Sequence, residues 1–497
     1  MGTQLYTRLR RTIPELGPVW RALSWNSFAT GGKVILGFVR ALILARLLSP
    51  DDYGLFGLST VVLSALAYFT NFRLSSAFIV RKFSSTEERD EFLNTIWTAD
   101  LARYSIISLL VLATAHHAAI YMGDPRLSGI LLITGLTPLV TGFTNIGLSV
   151  LQKEINFKRL SLQTLATEVI QFVVGVGLAW FFRNVWAMVW TQLAATVLGV
   201  LASYAVHPFR PRLAFNWTAF FQAFGYGKHL LLISVLTFFT TQFDNFVVGR
   251  YLGTAVLGAY LVAYRLATLP LELLGEVSDP VLFSAYAKAR MDDPAKLLRM
   301  FLGAVNGITV LLVLAAIGTH AVAHDAIVRL YGGKWEQAVP MLEALVAVGV
   351  ARGISRTISA VLLAHGRSGL DAIGKCVEAG IFVPFTVLLV QRYGTAGAAA
   401  AGALSYAVGA AVRSVFVLRL MPELRGSFLR SVVNHTVLGG LAFAATQAAR
   451  AYMHGLFAAA LVLPLYAAAV IVSNPPLRDF VRTFGSRRPS WAEAGRC

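Results

Sequence analysis

The residues with chemistry to offer are charged side chains set deep in long apolar runs. Lys33 and Arg40, seven apart, share one helix face, and Arg352 and Arg356, four apart, share another. Arg265, Glu272, Glu276 and Asp279 fall within about 60° of helix azimuth. Asp371, Lys375 and Glu378 lie in one run; Asp100 sits with Arg103, and Glu168, Asp244 and Arg413 stand singly. Each such charge costs a few kcal/mol to insert and usually faces a bundle interior or a wet cavity. Asp371 with Lys375, and Asp100 with Arg103, are spaced to pair on one helix. Lys33, Arg40, Arg352 and Arg356 have no acidic neighbour at helical spacing, so their partners come from another helix or a ligand.

The elements that position these charges are membrane helices. The chain has 497 residues, 56% hydrophobic and 14% charged, which points to an all-α polytopic membrane protein. About 14 spans are expected, near 24–47, 53–77, 93–121, 127–151, 160–182, 185–206, 226–249, 256–284, 297–322, 336–364, 368–391, 396–420, 429–449 and 453–473. A misread last pair would leave 12 spans. Residues 1–23 read as a cytoplasmic basic leader, 207–225 as a cytoplasmic linker and 474–497 as a basic cytoplasmic tail. No cleavage site of signal-peptide type follows the leader, so the first span is expected to stay in the mature chain.

With the N-terminus inside, the inner loops carry most of the cations, among them Arg81, Lys82, Arg89, Lys153, Lys158, Arg159, Arg210 and Arg212. The outer loops carry few. The asymmetry places both termini in the cytoplasm and absorbs most of the net charge of +18, so no nucleic-acid partner is required.

One repeat is visible. "ARLLSPDDYGLFGLSTVV" (Ala45 to Val62) resembles "GRYLGTAVLGAYLVAYRL" (Gly249 to Leu266) at an offset of 204, with Gly54 on Gly258 and Phe56 on Tyr260. The glycines are expected to let an outer turn bend sharply. The offset covers an even number of spans, so the implied architecture is a parallel repeat: an N-lobe over 24–206 and a C-lobe over 226–420, with two extra helices over 429–473. The offset also maps Arg40 onto Asp244. A cross-cavity pair of the two, or coincidence in a weak alignment, are both open.

Other chemistry finds little support. Asp51-Asp52 in an early outer loop is where a polytopic glycosyltransferase places acids, but the loop is too short to hold an acceptor and reads as a turn. His116-His117 at a span end reads as interfacial. The chain has no P-loop, GxSxG or HExxH motif. Cys376 and Cys497 suggest neither a disulfide framework nor a metal site.

"ARLLSPDDYGLFGL", "LQKEINFKRLS", "GRYLGTAVLGAYLVAYRLATLP" and "LYGGKWEQAVPML" together resemble the bacterial polysaccharide exporters, flippases of lipid-linked oligosaccharides. That family belongs to the superfamily of multidrug, oligosaccharidyl-lipid and polysaccharide exporters. The resemblance implies two six-helix lobes working by alternating access in the inner membrane. It implies a transporter rather than an enzyme, and an undecaprenyl-diphosphate-linked oligosaccharide as substrate. Membrane lipids and the polymerase and chain-length machinery are the implied partners. No cofactor is expected; a proton or sodium gradient, or downstream consumption, would drive transport.

No site residue transfers by motif, so the site rests on electrostatics. A lipid diphosphate entering a low-dielectric cavity needs cations, and arginine's planar fork suits phosphate. Lys33, Arg40, Arg352 and Arg356 are the expected cavity cations, with Arg265, Lys375 and Arg413 behind them. Asp244 and Glu168 are the expected coupling or gating acids. A cation-coupled multidrug extruder of the same superfamily is the alternative.

Overall fold

The computed structural model describes Trp25 and residues 28–473, apart from Ile155, Asp293, Ala451 and His454. Side chains at Val80, Phe157, 226–230, 276–285 and 287–299 are also outside the description. The expected basic leader 1–23, the tail 474–497, and the side chains of Glu276 and Asp279 therefore lie outside the described residues. Every regular element among those described is helical. The chain divides into two compact units, Met1–Leu261 and Val262–Cys497.

The first unit begins with α1 (Phe28–Leu47) and α2 (Pro50–Phe69). Between them Ser49 caps α2: its Oγ accepts from Asp52 N, and the Asp52 carboxylate accepts from Ser49 N at 2.9 Å. The Pro-Asp-Asp stretch is thus the first turn of a helix rather than a loop. Both aspartates have structural partners. Asp52 Oδ1 accepts from Val185 N at 2.8 Å, and Asp51 accepts from Arg126 at 2.7 Å and from the Thr254 hydroxyl.

Then come α3 (Leu74–Val80), α4 (Thr86–Met122), α5 (Arg126–Thr134), α6 (Leu136–Gly142) and α7 (Gly147–Lys153). The expected span 127–151 is therefore broken, with a 59° bend between Arg126–Gly142 and Gly147–Lys153. Asn145 holds the break, donating to Phe209 O at 2.8 Å and accepting from Gly147 N at 2.8 Å. Helices α8 (Phe157–Phe182) and α9 (Trp186–Val206) follow as long apolar spans.

After the linker, α10 (Trp217–Thr241) and α11 (Phe243–Leu252) pack on α2, α3 and α4. The helix that the sequence assigned to the second lobe thus lies, by its contacts, in the first compact unit. Gly253, at φ 88°, makes the turn into α12 (Thr254–Asp292). The repeat glycines do something else. A Cβ at Gly54 would strike the backbone of Thr254, and a Cβ at Gly258 would strike that of Pro50. Since 254 is 50 plus the 204 offset, the contact is reciprocal. These glycines bring two helix starts together and do not bend the chain.

The second unit continues α12 from Val262, followed by α13 (Pro294–Ala321). A π-turn (Ala326–Tyr331) and a 3-10 turn (Gly333–Trp335) then bury Tyr331 and Trp335 around Gly332 at φ 107°. Next are α14 (Ala338–Ala364) and α15 (Ser368–Leu420). The latter merges two expected spans, but Gly394 interrupts it with non-helical φ/ψ of 59° and −138°. Helices α16 (Arg425–Arg450) and α17 (Gly455–Ser473) pack on α13. Eleven helices among the described residues are long and apolar enough to cross a membrane, twelve if the bent pair is one span.

Candidate substrate and coupling sites

In the first unit, the spacing of α1 puts Lys33 and Arg40 on one face, yet their surroundings differ. Lys33 is exposed, and among the described residues it makes no ion pair or hydrogen bond. Arg40 turns toward α8. Its Nη1 donates to Gln171 Oε1 at 2.5 Å, and its Nη2 lies 3.3 Å from Glu168 Oε1. Glu168 is buried, and no donor is aligned for a hydrogen bond to that oxygen, so the contact is an ion pair of imperfect geometry. Gly175, one helical turn beyond Gln171, leaves space for the Arg40 side chain.

Asp244 is 3% exposed. Its Oδ2 accepts from Tyr260 OH at 2.8 Å and its Oδ1 from Asn245 N at 2.9 Å. Glu168 is an acid beside Arg40 that the 204 offset did not indicate. Arg46 and Arg250 are exposed near helix ends, and Arg250 lies 5.3 Å from the Tyr121 ring. Asp100 and Arg103 pair at 3.1 Å, as their spacing indicated.

In the second unit, Arg413 is the centre of a buried network. Its Nε donates to Asp371 Oδ1 at 2.7 Å. Its Nη1 donates to Glu378 Oε1 at 2.5 Å and to Ser355 Oγ at 2.8 Å. Ser355 in turn donates to Glu378 Oε1 at 2.6 Å. Two glycines make room: a Cβ at Gly374 would strike the Arg413 guanidinium, and one at Gly409 would strike the Glu378 carboxylate. At 1% exposure with two carboxylates, Arg413 is not a cation open to a cavity, which corrects its place among the candidates.

The same network corrects the expected pairing of Asp371 with Lys375. Asp371 pairs with Arg413, 42 residues on, and not with the lysine one turn away. Lys375 is half-buried and, among the described residues, makes no ion pair or hydrogen bond. Arg352 is near enough to act on it electrostatically. Arg352 donates to Tyr264 OH at 3.2 Å and lies 5.9 Å from the Tyr406 ring. Arg356 is exposed on the same face of α14, where Gly275 leaves space for its guanidinium. Arg265 and Glu272 are also exposed on α12.

The sequence reading missed Gln171, Ser355, Tyr260 and the two glycines. A small residue next to a buried charge was the available signal. Gly374 adjoins Lys375, and Gly409 lies one turn before Arg413.

Comparison with known proteins gives this arrangement a family. The model of the polysaccharide biosynthesis protein family matches residues 43–340, more than half of the chain. The chain belongs to this family. It is 24% identical over 420 residues to the lipopolysaccharide biosynthesis protein WzxC of Escherichia coli, covering 82% of each chain. It is 26% identical over 387 residues to the succinoglycan biosynthesis transport protein ExoT of Rhizobium meliloti, covering 78% of this chain and 74% of that one. The fold is similar to that of the lipid II flippase MurJ, whose structure is in an inward closed conformation. The TM-score is 0.72 at 17% identity, over 92% of this chain and 99% of that chain. An inward-facing multidrug MATE transporter matches with a TM-score of 0.64 at 16% identity, over 79% of this chain and 96% of that one. The exporter is thus a multi-pass membrane transporter of polysaccharide biosynthesis and not an enzyme. That agrees with the structural use of Asp51 and Asp52.

Proposed function

We propose that this exporter flips an undecaprenyl-diphosphate-linked oligosaccharide repeat unit across the bacterial inner membrane by alternating access, with Lys375, Arg352 and Arg356 receiving the diphosphate. The observation that carries the reading is the division of labour around Arg413. That arginine engages both buried carboxylates, and Lys375 on the same helix is left without a bonded counter-ion beside Arg352. A diphosphate loses most of its hydration in a cavity, and cations already held there offset that loss. Arginine adds a fork that binds two phosphate oxygens together. Cations on this wall favour an anionic substrate over the cationic drugs of a multidrug extruder.

In the first unit, Lys33 is a further cation for the substrate, and Arg40 with Glu168 is the gating or coupling pair. Glu168 is buried, and one of its oxygens has no aligned donor. A proton or sodium gradient, or consumption of the product by the polymerase and chain-length machinery, then drives transport. The reciprocal contact of Gly54 and Gly258 supports a parallel repeat of two six-helix lobes. Counting the bent pair once, both arms of α15, and α16 brings the spans to fourteen. Both termini then lie in the cytoplasm with Arg81, Lys153 and Arg210.

The test is complementation of a flippase-null strain, with leaflet-resolved labelling of the lipid-linked sugar. Lys375→Ala and Arg352→Ala are expected to reach the membrane at wild-type levels and to leave the sugar in the inner leaflet. Wild-type transport by both variants would falsify the diphosphate site.

A further inference from the structure

A cavity of about 270 Å³ in the first unit, lined from α2, α4, α5, α6 and α9, contains none of the cations above. It forms at the junction of α5 and α6. Pro138 has no N–H, so the carbonyl of Thr134, four residues back, loses its helical donor. Thr137 Oγ1 donates to that carbonyl instead, at 2.6 Å, and Ser108 Oγ of α4 donates to the neighbouring Gly135 O at 2.6 Å. Interrupted backbone at membrane depth is tolerated where it is buried or lines a cavity, and interrupted helices are where transporters place ligands.

The lining has one chemical character. Thr60 and Ser64 of α2 donate their hydroxyl protons to Gly57 O and Thr60 O, each at 2.7 Å. Thr134 and Thr141 donate to Ile130 O at 2.9 Å and Thr137 O at 2.7 Å. With its only proton committed to its own helix, each hydroxyl offers lone pairs alone. Such a wall repels phosphate, and it holds no carboxylate to attract a cation. It fits a neutral ligand with several O–H donors. The Gln192 amide and the Tyr104 phenol also line the cavity. Among the described residues neither makes a side-chain hydrogen bond, so both remain for the ligand's own acceptors. Phe56, Leu63 and Ile107 supply apolar area for a ring face.

We infer that this cavity is a saccharide subsite: it binds neutral sugar of the lipid-linked oligosaccharide, and sugar recognition lies in the first unit. The inference rests on the flippase reading above. Its test uses the full-length protein in nanodiscs and two probes, undecaprenyl diphosphate and the same lipid carrying a glucosyl-galactose disaccharide. Wild type is expected to bind the sugar-bearing lipid about fivefold tighter or more, the effect of one or more hydrogen bonds. Thr60→Val combined with Gln192→Leu is expected to erase that gain and leave affinity for the bare lipid unchanged. Thr60→Ser, which keeps the acceptor, is expected to behave as wild type. A gain that survives the double substitution, or no gain in wild type, overturns the subsite and leaves the flippase reading standing. Loss of bare-lipid affinity in the double variant also counts against it, as disturbed packing. Failure of wild type to bind either lipid overturns the flippase reading itself.

Discussion

Arg40 in the first unit and Arg413 in the second are both arginines inside apolar helices, yet the fold treats them differently. Arg413 is 1% exposed and meets two carboxylates and a serine hydroxyl at 2.5–2.8 Å. The Arg40 side chain is 20% exposed and meets one amide oxygen at 2.5 Å and one carboxylate at 3.3 Å, poorly aligned. A buried charge that is fully paired is costly to disturb and has nothing left for a ligand. Arg413 holds three helix segments together, whereas the half-buried Arg40 joins α1 to α8 through contacts that reach solvent.

Four substitutions would break or sharpen that contrast. The largest effect is expected from Arg413→Met, which leaves Asp371 and Glu378 buried without their cation. A loss of about 3–5 kcal/mol should appear as a lower Tm in detergent and a poor yield from membranes. Adding Asp371→Asn and Glu378→Gln should recover much of it. An unchanged Tm for Arg413→Met alone would remove the structural role.

Next comes Gly374→Ala, whose Cβ would lie 2.7–2.9 Å from the Arg413 side chain. Overpacking of this kind costs about 1–3 kcal/mol, and thermal unfolding of the purified variant would measure it. Arg40→Met should cost less, about 1–2 kcal/mol, because the Arg40 side chain is 20% exposed and its carboxylate lies at 3.3 Å. Its main effect should fall on transport in the complementation assay. A variant that unfolds like Arg413→Met but transports normally would reverse the two assignments.

The smallest effect is expected at Gly175→Ala. There a Cβ would lie 3.4 Å from the Arg40 side chain, an ordinary contact, and 3.2 Å from Thr191, which must give by a few tenths of an ångström. The higher helix propensity of alanine, about 1 kcal/mol, offsets the crowding. A Tm within a few degrees of wild type is the expected reading, and a collapse like that of Gly374→Ala would show that Arg40 is packed as tightly as Arg413.

Local pairs were legible in the sequence. Asp100 and Arg103 are three apart on one helix and meet in the structure. Glu343 and Arg450 show the opposite case: 107 residues separate them, and they meet at 2.8 Å. Asp371 had a lysine at helical spacing, but a lysine ammonium is one compact donor group. The Arg413 fork reaches Asp371, Glu378 and Ser355 together, so the distant cation displaced the near one. The 204 offset indicated which glycines mattered and misjudged why. Gly54 and Gly258 recur because two helix starts approach within backbone contact, and only the bend at Gly253 uses a positive φ.

Sequence alone determined the class, since apolar runs of span length repeated along the chain leave few other solutions. It also determined which charges need a partner, water or a ligand, because ionisable groups are costly in hydrocarbon. Only the tertiary structure decided who those partners are. Side chains three or four apart on one helix meet by helix geometry, whereas partners on different helices meet by packing, set by small residues such as Gly374, Gly409 and Gly175 at the points of approach.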